Sequence, residues 1–520
     1  MDIVGLADGA VKESRERMRA AIKNSGLDFP SERVLISLSP ADLKKEGAGF
    51  DLAIALAVLK AHLGSEILDG KNNDAQQNTD SKENFANNTL NSILIMGELE
   101  LSGNIRQVKA VHAAAATAAA QGIRYCIVPS ANANEAREVE GMKVFAADTL
   151  TNALYAIYHP ELFSEKDAFK TDSFTPDNCI EESGLLFPLY GDDYEFSNIK
   201  NQAVLVRALE IAAAGGHNVL AVGAPGCGKT MALQKFPALL PLLSLEDAKP
   251  VTRIYSVAGL MSKDSPLIRT TPFRMPHQTA SIEGMCGGGP HCSPGEISLA
   301  HNGVLFLDEA AEFRSSVLQM LRVPLETGRV TLARAGRSST YPASFQLLMA
   351  ANPCPCGNFG SETKMCLCSA RSVELYWKKF SAPLLDRIDI RVSVNNSSVE
   401  EKEKKQGAVH KEMLDSKRVR NTNELRKSIA RAIQIAQSRQ GKRNAKLLAQ
   451  DVATFCPFTK NAKDLLEKSS ARYGFSPRGR FSCIKLSRTI ADLEKSDTIH
   501  ARHIEEAVFY RKSFNDFFQS

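Results

Sequence analysis

The sequence predicts an α/β fold centred on a parallel β-sheet. Three apolar runs predict it: residues 218–222, 303–307 and 344–351 are continuously or nearly continuously apolar. A strand buried on both faces reads this way, whereas a half-exposed strand alternates. Each run gives way to glycine or to polar residues. The C-terminal ends of parallel strands are where open α/β sheets bind ligands. A helical pattern opens at Met231-Ala232-Leu233, soon after the first run.

A chain of 520 residues exceeds one compact core, so two or three domains are expected. The apolar fraction of 43% is that of a globular protein. No apolar run reaches the roughly 18 residues of a membrane span, and no basic segment followed by an apolar stretch opens the chain. A cytoplasmic protein without a membrane partner is expected. Eleven cysteines in so long a chain point to metal, catalysis or packing rather than a disulfide framework. Charge is unevenly spread. Residues 401–520 hold 26 Lys and Arg against 14 Asp and Glu, so the net +5 leaves about −7 for residues 1–400. A basic C-terminal segment is either a solvated helical surface or the footprint of a nucleic-acid partner.

The N-terminal region, residues 1–160, reads as a small α/β domain. Strand-like runs stand at 3–6, 34–38, 93–96 and 125–128, and helical patterns at 10–24, 50–62 and 111–121. Residues 70–91 are rich in Asn, Asp, Gln and Ser and are expected to be a disordered insertion. The aperiodic stretch 161–195 reads as a linker. Residues 196–400 alternate strands and helices, and 401–520 are mainly helical, with an Arg-rich stretch near 472–488.

Gly223-Ala224-Pro225-Gly226-Cys227-Gly228-Lys229-Thr230 matches G-x-x-x-x-G-K-[ST] between a strand and a helix. This context makes it a phosphate-binding loop. Its glycines, Gly223, Gly226 and Gly228, let backbone N–H groups face phosphates at a helix N-terminus. Lys229 reaches the β- and γ-phosphates of ATP, and Thr230 ligates Mg²⁺. The run 303–307 ends in Asp308 and Glu309: Asp308 can hold Mg²⁺, and Glu309 can polarise the attacking water. Asn352, at the end of the third run, can orient that water. Arg387 follows a short helical pattern. An arginine so placed is either a salt-bridged surface residue or one serving a neighbouring subunit's γ-phosphate.

Cys354-x-Cys356 and Cys366-x-Cys368 are separated by nine residues. Four thiols so spaced fit one tetrahedral Zn²⁺, the alternative being a reduced, metal-free loop. Cys286, His291 and Cys292 form a weaker candidate set, and Cys227 in the phosphate loop needs only to be small.

Longer motifs carry a resemblance. Ala208-Leu209-Glu210-Ile211-Ala212-Ala213-Ala214-Gly215-Gly216-His217-Asn218, Pro272-Phe273-Arg274-Met275-Pro276-His277, Pro294-Gly295-Glu296-Ile297-Ser298-Leu299-Ala300-His301-Asn302-Gly303, Asn352-Pro353-Cys354-Pro355-Cys356-Gly357 and Arg488-Thr489-Ile490-Ala491-Asp492-Leu493 resemble the ComM/YifB family of magnesium-chelatase-like AAA+ ATPases. The resemblance covers nearly the whole chain. It implies a P-loop AAA+ core, a C-terminal helical lid and an N-terminal α/β domain of the Lon-protease-like (S5) type.

The same resemblance makes Lys229 and Thr230 the Walker A ligands, Asp308 and Glu309 the Walker B pair, Asn352 sensor 1 and Arg387 the arginine finger. Sensor 2 is implied at Arg478, with Arg480 as the alternative. Residues 281–293 resemble the insertion before the Walker B strand, and 330–341 a hairpin with Arg334 and Arg337 near its tip.

In Lys45-Glu46-Gly47-Ala48-Gly49-Phe50-Asp51, the place of Lon's nucleophile loop, no serine stands. Lys109 therefore has nothing to activate, and a non-proteolytic domain is expected. Met1 falls just before the family's Ile-Val-Gly-Leu segment, so the domain's first strands are expected to be missing. The resemblance implies a homo-oligomeric ring, a hexamer, that uses ATP and Mg²⁺ to translocate or branch-migrate single-stranded or branched DNA with low sequence specificity. The alternative is a chelatase-type ring that remodels a partner protein.

Overall fold

The computed structural model describes residues 2–5, 9–39, 47–68, 93–164, 178–261, 267–289, 292–334, 337–359, 364–394 and 420–511. The expected insertion at 70–91, together with Lys45, Glu46 and His291, lies outside them. The chain forms two compact units, one of residues 1–174 with 248–268, the other of 175–247 with 269–520.

In the first unit, β1 (Asp2–Val4) pairs in parallel with β2 (Leu35–Ser37). A parallel sheet has the order β3 (Ile93–Ile95), β6 (Tyr125–Pro129), β7 (Lys143–Ala147). Between its first two strands the chain makes a small antiparallel ladder, β4 (Glu98–Leu99) with β5 (Ile105–Arg106). Helices Gly9–Asn24, Asp51–Leu68 and Leu150–Ile157 bury Met18, Ile22, Leu52, Leu56, Leu59, Leu150 and Ile157 in one core. Residues 248–268 lie within the stretch the sequence assigns to the nucleotide core, yet they cluster with the first unit. Ser256 donates to the buried carboxylate of Glu135, and its carbonyl accepts from Ala110.

The expected linker at 161–195 is in part an ordered hairpin. β8 (Cys179–Glu182) and β9 (Leu185–Pro188) pair antiparallel around Ser183-Gly184. Both turn residues have positive φ, 48° and 73°, as a two-residue hairpin turn of the primed type requires. Phe187 is fully buried under the Arg426 guanidinium, 6.0 Å from its ring centre. Two four-residue strands are too short for their alternation to stand out in the sequence.

The second unit holds a five-stranded sheet in the order β11 (Phe273–Arg274), β14 (Val304–Leu307), β17 (Gln346–Ala351), β10 (Val219–Gly223), β18 (Ile390–Val394), all parallel. Its earliest strand, β10, thus sits between its two latest. Val219, Ala221, Val304, Phe306, Leu348 and Ala350 face one core, and Leu220, Val222, Leu305, Leu307, Leu347, Met349 and Ala351 the other. Burial on both faces is why these strands read as unbroken apolar runs.

Two short ladders, β12 (Gly287–Gly288) with β13 (Ser293–Pro294) and β15 (Arg329–Arg334) with β16 (Arg337–Pro342), lie in the sheet's connections. The second is the hairpin expected over 330–341. Its register pairs Arg334 with Arg337.

Helices Thr422–Gln440, Lys460–Arg472, Pro477–Leu493 and Ala501–Arg511 pack on the face that also carries helix Ala203–Gly215. Asn421 and Glu424 form a capping box on the first, and Ser476 with Pro477 opens the third, both ordinary N-terminal signals. A buried polar chain ties these helices to the sheet. His217 Nδ1 lies 3.2 Å from Asp389 and its Nε2 2.7 Å from Thr489, and Ser482 donates to Asp389. Burial raises the Asp389 pKa, but the hydrogen bonds from His217 and Ser482 prevail and hold it at about 2.

This packing revises the charge reading. Arg488 is fully buried against Asp492, and Arg426 and Arg511 are 3% exposed and donate to backbone carbonyls. Part of the C-terminal basic excess therefore holds the helices together and is closed to a phosphate. Among the described residues no helix is long and apolar enough to cross a membrane.

Candidate nucleotide site and cysteine cluster

β10 delivers the glycine-rich loop at its C-terminal end. A Cβ on Gly223 would stand 2.1 Å from the Val394 carbonyl oxygen, so only glycine lets β10 and β18 close at this point. Gly226 and Gly228 have φ of 77° and 84°, a region that costs an L-residue about 1 kcal/mol or more. Gln202 donates to the Cys227 carbonyl at 3.0 Å and anchors the loop.

Lys229, 7% exposed, opens helix Lys229–Gln234 and donates to the Gly223 and Ala224 carbonyls at 2.6 and 2.8 Å. Its ammonium is 3.5 Å from Asn352 Oδ1. Thr230 Oγ1 donates to Asp308 Oδ1 at 3.0 Å. Thus Lys229 and Thr230 from the loop, Asp308 after β14 and Asn352 after β17 meet at the C-terminal edge of three neighbouring strands. A hydroxyl and a carboxylate 3.0 Å apart would suit Mg²⁺, a hard cation that is held by one or two protein oxygens together with phosphate and water.

Glu309 is exposed and left-handed, at φ 47° and ψ 46°. Its N–H donates to Asp308 Oδ1 at 3.0 Å, which turns the chain at the strand end. Strained non-glycine backbone of this kind clusters at functional sites.

Arg387 and Arg478 are not part of this group. Asn218, at the N-terminal end of β10, donates through Nδ2 to the Arg387 carbonyl at 2.8 Å. The glycine-rich loop leaves the opposite end of that strand, roughly 15 Å away at about 3.3 Å per residue. Arg387 donates to the Glu326 carboxylate on helix Pro324–Thr327 and, at 2.6 Å, to the Pro383 carbonyl. Its buried Nε has no hydrogen-bond partner among the described residues. Arg478 reaches the same carboxylate at 3.7 Å, whereas Arg480 pairs with Glu467 at 3.5 Å. Hydrogen bonding from Arg387 and the charges of both arginines hold the Glu326 carboxyl below its ordinary pKa. The four residues expected as catalytic therefore divide into Glu309 and Asn352 at one end of the sheet, and Arg387 and Arg478 at the other.

The four cysteines at 354–368 do converge. Their sulfurs lie within 4.8 Å of one another, with pairs at 3.3, 3.5 and 3.7 Å. A tetrahedral zinc with Zn–S of about 2.3 Å has sulfur–sulfur edges of about 3.8 Å. The Phe359 N–H donates to Cys354 Sγ at 3.3 Å. A hydrogen bond from the Asn358 backbone, then one from Cys354, lowers the Cys356 thiol to about 6. Such N–H···S bonds favour thiolate, the form that binds metal. Among the described residues Cys286 and Cys292 do not join a ligand group. Cys286 contacts the Met320 sulfur, and Cys292 is buried.

Sequence reasoning missed Gln202 and Glu326, whose residue types are too common at surfaces to signal a role. It also missed the packing of Gly357 on Pro225, where a Cβ would stand 2.5 Å from the proline Cδ. A glycine directly after Cys-Pro-Cys was the available sign.

Models of known families match three stretches: magnesium chelatase subunit ChlI over residues 195–402, subunit ChlI of Mg-chelatase over 1–132, and the ChlI C-terminal region over 419–511. YifB of Escherichia coli is 35% identical over 512 residues, 98% of this chain and 91% of that protein. The competence protein ComM of Haemophilus influenzae is 34% identical over 512 residues, with the same coverage of 98% and 91%. The magnesium-chelatase 38 kDa subunit of Cereibacter sphaeroides is 25% identical over 176 residues, 31% of this chain and 53% of that protein. The mixed α/β core with its parallel sheet agrees with the AAA+ fold of magnesium-chelatase-like proteins. On identity over nearly its full length, the chain belongs to the ComM/YifB family of magnesium-chelatase-like proteins.

Proposed function

We propose that this protein is an ATP-hydrolysing motor that assembles as a homo-oligomeric ring, a hexamer, and moves single-stranded or branched DNA. The observation that carries the reading is the division of the site. Lys229, Thr230, Asp308 and Asn352 gather at one end of the sheet, and Arg387 with Arg478 at the other. An arginine roughly 15 Å from its own phosphate loop, by strand rise, acts on a neighbour's γ-phosphate when subunits stack edge to edge. Lys229 and Thr230 bind ATP and Mg²⁺ together with Asp308. Mg²⁺ supplies charge neutralisation at the phosphates. Glu309 polarises the attacking water and Asn352 orients it. The four thiols of Cys354, Cys356, Cys366 and Cys368 hold one Zn²⁺.

DNA is read as the substrate from the family resemblance and from the hairpin whose register sets Arg334 beside Arg337. Arginines at a hairpin tip grip phosphates without reading bases. The competence name of one relative favours this over protein remodelling, the role read from the shorter match to the chelatase subunit. The N-terminal unit is read as non-proteolytic. Segment 45–51 has no serine.

The test is ATP hydrolysis with and without single-stranded, duplex and branched DNA. Stimulation is expected, with DNA affinity falling linearly in log salt. Arg334→Ala with Arg337→Ala is expected to lower DNA-stimulated turnover, keep basal turnover, and flatten the salt slope by about 1 per arginine. Indifference of the wild-type ATPase to every DNA form would reject DNA and favour the protein-remodelling reading.

A further inference from the structure

Six consecutive residues beyond β17 connect three features treated separately above. Asn352 Oδ1 stands 3.5 Å from Lys229 Nζ. Cys354 and Cys356 follow and supply half of the thiol cluster. Gly357 comes next, at φ +77°, and packs on Pro225 of the phosphate loop so tightly that a Cβ would sit 2.5 Å from its Cδ and 2.6 Å from its Cγ. The other two thiols, Cys366 and Cys368, arrive just before helix Ala370–Lys378. That helix is fixed to the strand end, since Trp377 Nε1 donates to the Pro353 carbonyl at 3.0 Å and Tyr376 packs in the core. The cluster therefore joins a segment leaning on the phosphate loop to a helix anchored on the sheet.

We propose that Zn²⁺ on Cys354, Cys356, Cys366 and Cys368 is a brace for the phosphate loop, fixing Gly357 against Pro225 and Asn352 beside Lys229, so that ATP affinity depends on the metal. The proposal rests on the reading of ATP at Lys229 and zinc at the thiols. Its physical basis is restraint. Gly226 and Gly228 give the loop backbone freedom, and around Gly226 there is open space, so the loop needs outside support to hold one conformation. Four metal–sulfur bonds close the 354–368 segment and remove its alternatives, as a cross-link does. When a binding conformation is only fractionally populated, apparent affinity falls by that fraction.

The experiment uses the full-length protein purified without chelator. Elemental analysis is expected to give one zinc per chain. Zinc is then released with an organomercurial and chelator, the thiols are restored with reductant, and binding of a fluorescent ATP analogue is measured. A loss of about 10-fold in affinity is expected if roughly a tenth of the metal-free loops remain competent, with recovery on adding Zn²⁺ alone. Gly357→Ala keeps all four thiols, so it is expected to retain one zinc per chain while affinity falls in the same direction.

Unchanged affinity in folded, zinc-free protein, checked by circular dichroism, would overturn the brace and leave the metal site standing. If stripping unfolds the chain, Gly357→Ala decides, and wild-type affinity in that variant overturns the proposal. Failure to take up zinc at all would remove both the brace and the metal reading, while ATP binding is scored independently. Absence of ATP binding by zinc-loaded wild type would instead reject the nucleotide reading.

Discussion

Glu309→Gln is expected to bind ATP with near wild-type affinity and to hydrolyse it about 10²- to 10⁴-fold more slowly, the usual contribution of a positioned general base. Glutamine keeps the size of the side chain and leaves the Glu309 N–H bond to Asp308 untouched. Of the groups assigned to binding, Lys229 donates to the Ala224 carbonyl and Thr230 to the Asp308 carboxylate, neither through the Glu309 side chain. Affinity and turnover should therefore separate. Binding of a fluorescent ATP analogue alongside single-turnover hydrolysis measures both. Turnover within a few-fold of wild type would remove Glu309 from the chemistry, and joint loss of binding and turnover would make its left-handed turn a structural requirement.

Arg387→Ala is expected to lower ATP turnover by about 10³-fold, the scale of an arginine that stabilises charge on a transferring phosphoryl group. The structure gives this variant a sharper test than a rate. Arg387 lies at the N-terminal end of β18, beside Asn218, while Lys229 follows the C-terminal end of β10. Neither Arg387→Ala nor Lys229→Ala should be active alone. Mixed together, they should regain activity, because an intact phosphate loop in one subunit then meets an intact Arg387 in the next. A mixture as inactive as its parents, with mixed assemblies shown by mass, would place Arg387 in a purely structural role beside Glu326. Normal turnover of Arg387→Ala at every protein concentration would reject the assignment outright.

Much of the core was legible because its determinants are local. The strands β10, β14 and β17 declare themselves as apolar runs, since both faces of each are buried. The glycine-rich loop is contiguous, and its glycines are required by backbone geometry that nearby residues impose. The cysteine quartet was legible for a similar reason: two pairs in one short segment cannot stray far apart. The hairpin at β8 and β9 was not legible, because two four-residue strands carry too little periodicity and take their stability from Phe187 beneath Arg426. The basic C-terminal excess was only half legible. A charge count does not distinguish Arg488, sealed against Asp492, from an arginine open to a phosphate.

By itself the sequence determined the α/β class, the glycine-rich loop, the acidic strand end and the thiol cluster, since each depends on residues adjacent in the chain or on burial that the residue pattern records. Tertiary structure alone decided the rest. It set Arg387 and Arg478 around Glu326 at the far end of the sheet from Lys229, and it laid Gly357 on Pro225. Both depend on strand order: β10 lies between β17 and β18, strands that follow it by more than a hundred residues. Packing of two cores against one sheet fixes that order, and no local propensity encodes it.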